Sequence, residues 1–270
     1  MGTGVTPTTA DFAGFQQLIE GLNFADMNFG SSSAKTFTLS FWVYASVAGT
    51  FGVGFRNATA ARSYIASYSI PSANTWTYIT LTVPGDTTGT WSIDNGAGIQ
   101  ILWDLGVGPT FSTTAGSWQA GNYFGLTGGT KLAATTGATF YITGVQLEKG
   151  ATATPFENRL YGTELALCQR YYQITTNVPS IAANTTLLAG NAIFMQSMRA
   201  TPSIGAQGAL NASDSQNDYL QSSANATLIN GNSTSAYITM ANFTALTQFR
   251  TFIMSRQASN SNGVTLSAEL

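Results

Sequence analysis

Residues 37–44 read Phe-Thr-Leu-Ser-Phe-Trp-Val-Tyr, and this alternation constrains the fold more than any other stretch of the chain. Phe37, Leu39, Phe41 and Val43 fall on one face of an extended segment, and Thr38, Ser40, Trp42 and Tyr44 on the other. A period of two belongs to a half-buried β-strand, because successive side chains point to opposite faces. Similar runs follow at 50–56, which is glycine-rich, at 63–70 and at 76–83. In the last of these, Ile79, Leu81 and Val83 alternate with Tyr78, Thr80 and Thr82, and Pro84-Gly85-Asp86 ends the run with turn chemistry. Residues 90–93 and 99–105 flank Asp94-Asn95-Gly96-Ala97-Gly98, which predicts a hairpin. Residues 140–147 form the last such run of this half. Residues 12–20 fit a helix or a strand, and the surrounding strands favour a strand. Short strands separated by Gly-rich turns predict an all-β fold with a jelly-roll β-sandwich.

A boundary is expected near residue 155. The stretch from Lys149 to Pro155 is small, polar and closed by proline, as linkers are. It divides the chain into residues 1–155 and 156–270, and all five tryptophans lie in the first part. A short helix is expected next, with Thr163 as its cap and Glu164 in its first turn. Leu160, Glu164, Leu167 and Tyr171 share one stripe, with Cys168 alongside and expected to be buried. So short a helix needs tertiary support. Two readings stand: it packs on its own domain, or it packs against copies of itself on a symmetry axis. Further β patterns at 192–198, 226–229, 236–240, 250–254 and 264–270 predict a second, smaller β domain.

Composition excludes several functions. Only 8% of residues are charged, 10 basic against 12 acidic, so nucleic-acid binding and anionic-membrane binding are not expected. There is no histidine, which removes Ser-His-Asp and Cys-His catalysis and any His-bound metal. The single cysteine, Cys168, can form neither an intrachain disulfide nor a thiolate cluster. Residues 1–9 carry no leader pattern, and no window is apolar enough for a membrane-spanning helix.

Three strings are distinctive: Phe-Tyr-Ile-Thr-Gly-Val-Gln-Leu-Glu at 140–148, Ala-Thr-Pro-Phe-Glu at 153–157, and Tyr-Gly-Thr-Glu-Leu-Ala-Leu-Cys-Gln-Arg-Tyr-Tyr at 161–172. Together they resemble the carbohydrate-binding-module-like region and following junction of bacteriophage tail fibre and tail-tip proteins. Residues 38–43, 76–78, 84–91, 198–202 and 267–270 are similar to the same proteins. Residues 175–263 carry no such likeness. The resemblance implies a virion protein that is extracellular when it acts. It implies a homotrimer that works with other tail proteins and displays a jelly-roll module for host attachment.

Sugar binding needs a flat aromatic face, which meets the sugar's C–H groups, and planar polar side chains for its hydroxyls. The expected ligand-binding set is Trp42 and Tyr44 on their strand, Trp118 and Tyr123 in a Gly-rich stretch read as loop, and the charged Arg62 and Asp104. Arg56, Asp94 and Phe124 lie near them in sequence. Each aromatic has a plain alternative as a core side chain. The expected oligomerisation set is Leu160, Glu164, Leu167 and Tyr171. Glycoside hydrolysis would need two carboxyl groups about 5 to 9.5 Å apart. Across the predicted hairpin, Asp94 and Asp104 would stand on the order of 16 Å apart. Of the other pairs, Glu148 with Glu157 straddles the linker and Asp214 with Asp218 reads as a solvated loop, so no catalytic residue is expected. No cofactor is expected either. Jelly rolls of the kind resembled often hold a structural calcium, for which Asp11, Asp26 and Glu148 are the available carboxylates, although no ligand spacing marks a site. The expected function is recognition of the host surface through a glycan, without catalysis, with a purely structural fibre, baseplate or capsid-decoration element and a polysaccharide depolymerase as rivals.

Overall fold

The computed structural model describes residues 2–176, 178–214, 216–255 and 263–269. The chain is all-β and forms two compact units, the first ending at Asn158 and the second running from Arg159 to Glu269.

Unit 1 contains β1 (Phe12–Glu20), a single helical turn α1 (Gly21–Phe24), β2 (Phe37–Ala45), β3 (Gly49–Asn57), β4 (Arg62–Ile70) and β5 (Thr77–Val83). It continues with β6 (Ala97–Val107), β7 (Ser112–Thr113), β8 (Trp118–Ala120), β9 (Gly125–Leu126) and β10 (Phe140–Lys149). A five-stranded sheet, β1-β6-β3-β4-β8, faces a three-stranded sheet, β10-β2-β5, in a jelly-roll sandwich. The alternation in β2 drives this packing. Phe37, Leu39, Phe41 and Val43 are fully buried, and they meet Phe51, Val53 and Phe55 from β3 and Ile99, Ile101 and Trp103 from β6. Trp103 stacks on Phe15 at 4.9 Å and takes Phe41 edge-on at 5.9 Å.

Two expectations about unit 1 are corrected. Residues 90–93 form no strand, so the hairpin around Asp94 does not exist. β6 instead pairs with β1 on one side and β3 on the other, which uses both of its edges. Trp91 turns into the core, where it meets Phe29, Phe24 and Trp118. The stretch from Lys149 to Pro155 is also no free linker. Gly150 and Ala151 accept hydrogen bonds from the hydroxyls of Thr38 and Thr82 at 2.8 and 3.3 Å. Thr38 is thereby fully buried even though it points away from the core.

Unit 2 contains α2 (Tyr161–Gln169), β11 (Tyr172–Thr175), β12 (Pro179–Ala182), β13 (Leu188–Ile193), β14 (Ser203–Gln207), β15 (Asn211–Ser213) and β16 (Asp218–Leu220). β17 (Thr227–Gly231), β18 (Ser235–Met240), β19 (Thr251–Ser255) and β20 (Gly263–Ser267) complete it. They make a seven-stranded sheet, β16-β15-β19-β12-β13-β18-β17, and a three-stranded sheet, β11-β20-β14. The core between them is built on Leu188, Ile238, Met240, Phe243, Phe252, Val264 and Leu266. The run expected at 192–198 lies earlier, at Leu188–Ile193, because β13 pairs with β12 and β18 over those residues. Residue 270 of the run expected at 264–270 lies outside the described residues. The distinctive strings of this unit converge. Arg199 donates its guanidinium to the carbonyls of Ala268 and Glu269 at 2.7 and 3.0 Å, and its N–H to Arg170. Ala268 donates its N–H to Tyr171. The chain entering unit 2 is thus tied to the strand that closes it.

The helix departs from expectation in three ways. α2 begins two residues before Thr163, and Leu160 holds the cap position without a side-chain hydrogen bond. Cys168 is exposed rather than buried, as is most of α2, in which no residue is buried. Tyr171 lies beyond the helix end, so the stripe is shared only by Leu160, Glu164 and Leu167, and Glu164 faces Arg159 at 3.5 Å. Low amphipathicity is the physical reason: with apolar side chains spread around the helix, no single face seeks the domain core.

Candidate functional site

The outer face of the three-stranded sheet carries a cluster of exposed aromatic rings. Trp42 and Tyr44 point outward from β2 because Phe41 and Val43 point in. Register then supplies their neighbours. Trp42 stands opposite Tyr78 of β5, and Tyr44 opposite Tyr141 of β10. Trp76, just before β5, completes the group. The ring centroids lie 5.2 Å apart for Trp42–Tyr78, 5.6 Å for Tyr44–Trp76 and 5.6 Å for Tyr44–Tyr141. The two rows are separated by two residues of strand, about 7 Å. Trp42, Trp76, Tyr78 and Tyr141 are each 45–55% exposed. Four half-open rings thus lie together in one exposed apolar patch.

A hydrogen-bonded latch shapes one edge of this platform. β10 bulges between Thr143 and Gln146, and Gly144 there has φ 59°, the left-handed region that favours glycine. A β-carbon at Gly144 would stand 3.5 Å from Trp42 and 4.0 Å from Phe156. The Gln146 side chain accepts the N–H of Glu157 at 2.7 Å, and Glu148 accepts the N–H of Thr154 at 3.0 Å together with its hydroxyl. The Thr154 hydroxyl is the main cause that holds the Glu148 carboxyl below its ordinary range. These bonds fold residues 154–157 back along β10 and set the half-exposed Phe156 ring beside Gly144. The motif at 146–157 is therefore a positioning device. Beside the rings the polar groups are neutral, the Tyr44 hydroxyl donating to Asn74 Oδ1 at 3.3 Å and Thr143 standing opposite Trp42, whereas the latch at the edge carries the Glu148 carboxylate.

The remaining expected site residues lie elsewhere. Trp118 is not in a loop. It sits on β8 opposite Tyr64, donates its indole N–H to the Pro84 carbonyl at 2.6 Å, and packs its ring against Phe29, Tyr64 and Trp91. It is an edge member of the core. Tyr123 is half-buried, with its ring over Gly121 and its N–H on the Ser63 hydroxyl. Arg62 is clamped to buried Asp86 through two hydrogen bonds of 2.7 and 2.8 Å, and this bond is the largest cause raising its pKa. Asp104 is buried, accepts the Leu126 N–H at 2.9 Å and faces Lys131 at 3.3 Å. Burial is the largest influence on Asp104 and pushes its carboxyl above the ordinary range. The structure thus brings Trp42 and Tyr44 together, gives Trp118, Arg62 and Asp104 packing and pairing roles, and adds Trp76, Tyr78 and Tyr141.

The carboxylates available for calcium do not share a site. Asp11 accepts from the Thr8 N–H and hydroxyl, Asp26 pairs with Lys149 at 2.5 Å, and Glu148 holds Thr154. Among the described residues, no three His, Cys, Asp or Glu side chains gather as a metal site. Likewise, no helix among them is long and apolar enough to cross a membrane. Searches of protein-family models and of curated proteins return no match to this chain.

Proposed function

We propose that this chain is a bacteriophage tail-fibre or tail-tip component that recognises a glycan on the host surface through unit 1, without catalysis. The single observation that carries the reading is the open aromatic platform of Trp42, Tyr44, Trp76, Tyr78 and Tyr141. Flat rings with neutral polar neighbours suit stacking against the C–H face of a sugar. The strings at 140–172 that resemble tail proteins supply the virion context, and two of them build the latch at the platform's edge. The test is a glycan array probed with the intact chain, followed by host-cell binding competed with the best glycan. Saturable, competed binding supports recognition, whereas release of new reducing ends would point to a depolymerase.

Assembly as a homotrimer beside other tail proteins belongs to the same proposal. Support comes from unit 2, where Leu160 and Leu167 on and before α2 are exposed, and where Ile181, Tyr237 and Ile253 form an apolar outer face on the seven-stranded sheet. This face also favours the second reading, a purely structural element, which would stand if no glycan bound.

A further inference from the structure

The outer face of the five-stranded sheet holds a cleft of about 530 Å³. Register builds it. Gln16 pairs with Leu102 and Arg56 with Gln100, so these four side chains share the outer face while Phe15, Phe55, Ile101 and Trp103 point into the core. Gly54 lets the wall come close: a β-carbon there would lie 2.7 Å from the Phe124 α-carbon. On this wall Phe124 stacks with Phe111 at 5.0 Å and takes Phe12 edge-on at 5.4 Å. Phe12 remains 66% exposed at the mouth.

Arg56 lies at the centre. Its Nε donates to Gln100 Oε1 at 2.7 Å, its Nη1 donates to Asn122 Oδ1 at 2.5 Å, and its guanidinium lies 5.1 Å from the Phe124 ring centroid. All of these partners are neutral. Arg62, Lys131 and Lys149 each face an aspartate, but among the described residues no carboxylate pairs with Arg56. Burial lowers its pKa with no opposing charge. A half-buried cation held in a fixed fork by amide oxygens, beside an aromatic wall, is complementary to an anion carried on a ring with an apolar face.

We infer that this cleft is a second binding site, separate from the platform, for an acidic sugar. Arg56 receives the carboxylate or phosphate, Gln16 and Asn122 lie at hand for hydroxyls, and Phe12 and Phe111, backed by the buried Phe124, cover the C–H face. The inference does not rest on the platform's function.

The experiment is NMR titration of the intact chain with glucuronate, glucose 6-phosphate, glucose and inorganic phosphate. The two acidic sugars are expected to move the Arg56 Nε–H signal and the Phe12 and Phe124 rings at millimolar concentration, with glucose and phosphate much weaker. A difference between the two acids identifies carboxylate or phosphate as the preferred anion. Arg56→Gln should weaken acid-sugar binding at least about tenfold, the size of one lost charge-assisted contact. Arg56→Lys should retain part of it. Phe12→Ala, at an exposed ring, provides a variant whose folding is secure and should also weaken binding. Trp42→Ala should leave these shifts unchanged, which separates this site from the platform. Equal shifts with glucose, equal shifts with inorganic phosphate, no response to either acid, or unaltered binding by Arg56→Gln and Phe12→Ala would each overturn the inference.

Discussion

Replacing Trp42 with alanine should reduce glycan binding about tenfold while leaving the fold intact. Trp42 is 45% exposed. A tryptophan offers up to about 250 Å², so roughly 110 Å² of this ring is open to a ligand. Covering all of it, at about 25 cal/mol per Å², would contribute about 2.8 kcal/mol. A single sugar ring that covers half contributes about 1.4 kcal/mol, a factor of about ten in affinity. Trp76→Ala should act similarly, since Trp76 is 47% exposed. The two tryptophans lie in different rows, so the double variant should lose about a hundredfold. Truncation also breaks one ring pair per site, Trp42–Tyr78 or Tyr44–Trp76, at a stability cost of about 1 kcal/mol each. The assay is an equilibrium isotherm on the best array glycan, with thermal unfolding of each variant alongside. Unchanged affinity in the double variant would remove the platform from the binding surface, and a large fall in melting temperature would show that these rings are core.

Three further outcomes are expected. Light scattering should give three times the 28.4 kDa chain mass, and a monomer at all concentrations would remove the assembly role of α2 and the seven-stranded sheet. Arg62→Ala should destabilise unit 1 by about 3 kcal/mol, because it strands the Asp86 carboxylate, which is 2% exposed; denaturant titration reads this, and an unchanged midpoint would rule out the clamp. Asp104 has a folded-state pKa raised above its ordinary value of 3.8. The folded chain therefore binds this proton more tightly than the unfolded chain, and the associated stability is present below that value and lost as pH rises through the raised one. Asp104→Asn should consequently gain on the parent across that window, and a pH-independent difference between the two would contradict it.

Much of the architecture was legible in residue order. Hydrophobic alternation at 37–44 decides that Trp42 and Tyr44 face away from Phe41 and Val43, because side-chain direction in a strand follows parity alone. The same parity puts Trp76 with Tyr78 on the face opposite Ile79. The all-β class also follows from local composition and turn chemistry, whereas the stretch read as a linker at 149–155 is hydrogen-bonded to β2 and β5. Pairing did not follow. Nothing near residue 42 in sequence says that Tyr78 will stand beside it, or that Tyr141 will stand beside Tyr44; those neighbours come from strand order and register, which long-range packing sets. The hairpin at 90–105 failed for the same reason, since β1 and β3 occupy both edges of β6. Trp118 looked like a loop ligand because its flanking glycines suggest a turn, yet the core's demand for aromatic volume drew it in beside Trp91. Arg62 and Asp104 were visible as charges, but only the fold decides that Asp86 and Lys131 meet them, and that Arg56 meets neutral amide oxygens among the described residues. Sequence by itself therefore determined which face each side chain takes, and tertiary structure decided which faces are covered, because burial depends on partners brought from far along the chain.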